Sequence, residues 1–167
     1  MCRKKKVPTI EDHINDMENL SAGQKSDALD FVAWLTSHEC TPCKDGEQYC
    51  WKVPFKGHNI CKLWLNPERE LVFISFFLSY SFDAAADGYD GGFFAAVHKN
   101  VQRCHRCHEG CTGPQDVPIF GKALKNVCSQ HTINFTLPDR DTFEHIKTLV
   151  EYCKTIQPSD ISYHAHH

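Results

Sequence analysis

The feature that most constrains this chain is a cluster of three cysteines, Cys104, Cys107 and Cys111, which Cys128 joins after sixteen intervening residues. Cys-x2-Cys sets two thiols one tight turn apart, where both reach a single ion at ~2.3 Å. Gly110 and Gly113 permit the backbone reversals that let ligands converge. Four soft thiolates complete a tetrahedron and leave no position for water or substrate, which is structural rather than catalytic zinc chemistry. His105, His108 and His131 stand near enough in sequence to replace a cysteine that does not reach. Three close cysteines and one remote one can also hold an iron–sulfur cluster, and buried thiols that bind nothing are the plain alternative.

The chain holds 10 cysteines and 11 histidines in 167 residues, so the compartment matters. Arg3 to Lys6 are basic, but the residues that follow include Glu11 and Asp12 and form no apolar run, so an export signal is not expected. The expectation is a cytoplasmic protein whose thiols stay reduced and serve metal or redox chemistry rather than disulfides. A second thiol group is Cys40-Thr41-Pro42-Cys43, with Cys50 and Cys61 beyond it. By spacing, Cys40 and Cys43 are a second metal knuckle, a redox pair or simple loop thiols, and Cys50 and Cys61 read as small hydrophobes on facing strands. A thioredoxin-like motif sits between a strand and a helix start, whereas this one follows a helix and precedes a strand.

A chain of this length buries roughly two-thirds of its unfolded surface, enough for a core without staples. Apolar residues at 41% and charged residues at 23% exclude wholesale disorder. No apolar run approaches the ~20 residues that span a bilayer, so no membrane partner is expected. The net charge of −3 disfavours nucleic acid, which leaves a protein or a small molecule as the expected partner.

Period and capping chemistry predict the elements. Thr9 with Asp12 opens a short helix ending near Leu20, and Ser21 with Gln24 opens a second one running to Ser37, striped by Ala28, Phe31, Val32 and Leu35. Tyr49, Trp51, Val53 and Phe55 alternate as a strand, Lys56 to Asn59 turn, and Ile60 to Leu65 return. Leu71 to Leu78 is apolar nearly throughout and reads as a central strand covered on both faces. Phe93, Phe94, Val97 and Val101 repeat at helical spacing and deliver the chain into Cys104. Thr132 to Leu137 alternates as a strand, and Pro138 opens a closing helix with Phe143, Ile146, Leu149, Val150 and Cys153 inward. The predicted architecture is α+β: an antiparallel meander flanked by amino-terminal and carboxy-terminal helices, with a Cys-rich metal knuckle. Residues 1–8 read as a basic flexible tail, 9–156 as a single α+β domain with the knuckle at 104–128, and 157–167 as a flexible tail carrying His164, His166 and His167.

Several stretches also match a family pattern: Trp51-Lys52-Val53, Lys56-Gly57, the three clustered cysteines, Ile119-Phe120-Gly121-Lys122, Asn126-Val127-Cys128 and Pro138-Asp139. Through them the chain resembles a group of small, functionally uncharacterised bacterial proteins with a Cys-x2-Cys-x3-Cys, Phe-Gly-Lys and Asn-Val-Cys motif. Through its helix and meander order it is also similar to the iron-chaperone-like small α/β domains. The resemblance implies a cysteine-ligated metal and no particular activity. One departure is Leu137, which stands where the pattern places a capping Asn.

No Gly-rich phosphate loop, His-Glu-x-x-His or Gly-x-Ser-x-Gly is present. Asp83, Asp87 and Asp90 read as a solvated turn. The sequence thus points to a non-enzymatic binding module with a structural zinc site. The alternatives are a thiol-dependent redox enzyme or sensor using Cys40 and Cys43 or the 104–111 cluster, and an iron or iron–sulfur handling protein.

Overall fold

The structure is a computed structural model that describes residues 8–47, 49–66, 71–77, 82, 88–105, 113–129 and 131–156. Two reciprocal capping boxes start its first two helices. In α1 (Ile10–Asp16) the Asp12 amide donates to Thr9 Oγ1 at 3.2 Å and the Thr9 amide to Asp12 Oδ2 at 2.8 Å. In α2 (Ala22–Ser37) Ser21 and Gln24 repeat the arrangement at 3.2 and 3.0 Å. The first helix stops at Asp16 rather than near Leu20. Met17 turns to an extended backbone there, and Met17 and Leu20 are both buried.

Seven strands follow: β1 (Cys43–Lys44), β2 (Cys50–Phe55), β3 (His58–Asn66), β4 (Leu71–Phe76), β5 (Pro114–Ile119), β6 (Lys122–Cys128) and β7 (Ile133–Thr136). The first four and β7 form an antiparallel five-stranded sheet in the order β1-β2-β3-β4-β7. The expected meander is its centre. The β2–β3 turn is tighter than Lys56 to Asn59: Phe55 pairs with His58, and only Lys56 and Gly57, both at positive φ, lie between. That is the two-residue turn whose twist matches the flanking strands. The register slips at Val53/Pro54, where proline has no amide to donate.

Trp51, Val53, Leu63, Val72, Ile74 and Phe76 are all buried, as their alternation predicts. They form one core cluster with Ile10 and Ile14 of α1, Phe31 and Leu35 of α2, and Phe143, Ile146 and Leu149 of α4 (Arg140–Thr155). Strand β4 ends at Phe76, and its other side, with Phe73 half-buried and Ser75 buried, is part of the sheet's outer face. Pro138 is not the first helical residue: Asp139 caps α4 by accepting the Thr142 amide at 2.9 Å, so the unusual Leu137 does not weaken the helix start. Leu137 instead takes a positive φ of 45° and lies exposed. Among the described residues no helix is long and apolar enough to cross a membrane.

The β5–β6 hairpin has no counterpart in the predicted elements. Phe120 and Gly121 form its two-residue turn, at φ 46° and 73°. Phe120 packs among Phe82, Tyr89, Phe93, Phe94 and Tyr152, with ring centroids 4.9–6.5 Å away. This ring cluster joins the hairpin to α3 (Gly91–Lys99) and α4. Asp90, read as part of a solvated turn, caps α3 by accepting the Phe93 amide at 2.8 Å. The His98 ring adds a bond from Nε2 to the Ile119 carbonyl at 2.8 Å.

Candidate metal centre

The stretch from Asn100 to Cys104 builds the site, because it pairs with two sheets in turn. Next to β7 it forms the bridge Val101↔Ile133, with the Asn134 amide donating to Asn100 and the Gln102 amide to Thr132, both at 2.9 Å. It then forms the bridge Arg103↔Val127 against the end of β6. There the Cys104 amide donates to the Asn126 carbonyl at 2.8 Å and the Cys128 amide to the Gln102 carbonyl at 2.9 Å. Cys104 and Cys128 each follow a member of that bridge pair. In an antiparallel ladder such residues are diagonal neighbours on one face, about 7–8 Å apart at Cα. Both cysteines are buried, at 8% and 7% exposure. Two cysteines separated by a long stretch of chain are thereby set as diagonal neighbours across one ladder.

Further bonds fix the β6 end. Asp116 Oδ1 accepts the Asn126 amide at 2.9 Å, across a bulge between Gln115 and Val117 that leaves Asn126 at a φ of 60°. The buried Thr132 hydroxyl donates to the Cys128 carbonyl at 3.0 Å. Such outer contacts orient the backbone that carries a ligand.

Cys107, Cys111 and His108 lie outside the described residues. His105 is exposed, directly after Cys104. His131 is half-buried elsewhere: its Nδ1 lies 3.1 Å from Ser75 Oγ, and Ser75 in turn donates to Asn134 Oδ1. With its one proton on Asn134, Ser75 accepts from the His131 Nδ1–H. Among the described residues no three His, Cys, Asp or Glu side chains form a group that could hold an ion. Cys107 and Cys111 belong to the stretch 106–112, outside the described residues.

The second thiol group divides by environment. Cys43 is exposed on β1, opposite Lys52, whereas Cys40 is fully buried after α2. Burial pushes the Cys40 thiol up, with the nearby Lys154 ammonium opposing. A thiol with a raised pKa is a poor nucleophile near neutral pH. Cys50 is buried within 3.9 Å of Asp45 Oδ2, and burial pushes its thiol up to about 11. Cys61 on β3 and Cys153 on α4 are likewise raised by burial, each also feeling a neighbouring buried thiol. Cys50 and Cys61 do lie on facing strands, the former opposite Trp64 and the latter opposite Val53.

No family model, no curated protein and no solved structure matches the chain.

Proposed function

We propose that this chain is a non-enzymatic binding module stabilised by a structural zinc ion on Cys104, Cys107, Cys111 and Cys128. The observation that supports the reading is the double pairing of residues 100–104, which sets Cys104 beside Cys128. Four thiolates would close the coordination sphere, so the ion would hold the hairpin to residues 100–104 and activate nothing. A reducing compartment such as the cytoplasm keeps these thiols available as ligands.

Elemental analysis of protein kept reduced and free of chelator tests the reading, with one zinc per chain expected. Two would promote Cys40 and Cys43 to ligands, iron with a brown colour would replace zinc by an iron–sulfur cluster, and no metal would refute the site. Cys107→Ser should release the ion and lower the melting temperature while far-UV helix and strand content stays largely intact. The sheet has its own core, and the ~10–16 kcal/mol that zinc supplies to small peptides would act locally here. Full stability of Cys107→Ser combined with loss of a measurable turnover would turn the reading into a thiol-dependent reaction.

A further inference from the structure

We draw no further inference here: the strongest candidate, the side-chain cluster of Cys40 after α2, Cys61 on β3 and Cys153 on α4 in the core, rests only on thiol pKa values that burial raises, which leaves these sulfurs poor nucleophiles near neutral pH.

Discussion

Replacing Phe120 tests whether the hairpin that ends in Cys128 is held to the body by aromatic packing. The residue is 5% exposed, with Tyr152 at 4.9 Å, Phe93 at 5.4 Å and Phe94 at 5.6 Å between centroids. Truncating such a ring to Ala costs about 3–5 kcal/mol through lost transfer energy and the cavity left behind. The backbone supplies a second handle. At a φ of 46° Phe and Ala both carry a left-handed penalty of about 1–2 kcal/mol that Gly escapes, against about 0.5–1 kcal/mol of extra chain entropy that Gly loses on folding. Phe120→Gly should therefore be less damaging than Phe120→Ala by about 0.5–1 kcal/mol, the reverse of the usual order. Urea titrations compared at unchanged m-value measure both. An Ala variant costing less than about 1 kcal/mol, or a Gly variant worse than Ala, would refute the reasoning. Hydrogen exchange should further show faster opening of β5 and β6 than of β3.

Ile74→Ala, in the middle of β4 and 3% exposed, should cost about 2–5 kcal/mol; a loss below about 0.5 kcal/mol would contradict its core position. Asp139→Ala removes the cap of α4 and should cost about 1 kcal/mol. Because the hydrogen bonds from Thr142 hold the Asp139 carboxyl below its usual value, its contribution is complete above the ordinary carboxylate pKa. It fades as pH falls through the lower folded-state value, and a variant with the same acid profile as wild type would sink that account. Cys50 acts at the opposite end: its thiol titrates near 9.0 when unfolded and near 11 when folded. Its contribution to stability is complete below pH 9 and is lost as pH rises through that window, so Cys50→Ala should flatten the decline, and identical slopes would show that another group drives it.

The helices and the central meander were legible because their determinants are local. Thr9, Ser21 and the stripe in α2 act within four residues, and the alternation of Trp51, Val53 and Phe55 is satisfied by any sheet with one buried face. Boundaries slipped where burial outweighs periodicity. Leu20 is buried beyond the end of α1, and Asp139 rather than Pro138 meets the free amides of α4. In the site, the cysteine spacing was plain, but the neighbour relation of Cys104 and Cys128 was not.

That relation depends on β5 and β6, which carry Pro114 and Pro118 and little of the apolar alternation by which strands are read. Their pairing is held by a turn whose first residue, Phe120, accepts an unfavourable φ because its ring is buried among residues as distant as Phe82 and Tyr152. The sequence by itself determined the capped helices, the inward stripes and the presence of a thiol-rich segment, since each follows from residues a few positions apart. Only the tertiary structure decided that residues 100–104 bridge the two sheets, that Cys104 lies beside Cys128 and that Cys40 is buried while Cys43 is exposed. Those outcomes depend on hydrogen bonds and packing between residues far apart in the chain, which no local pattern encodes.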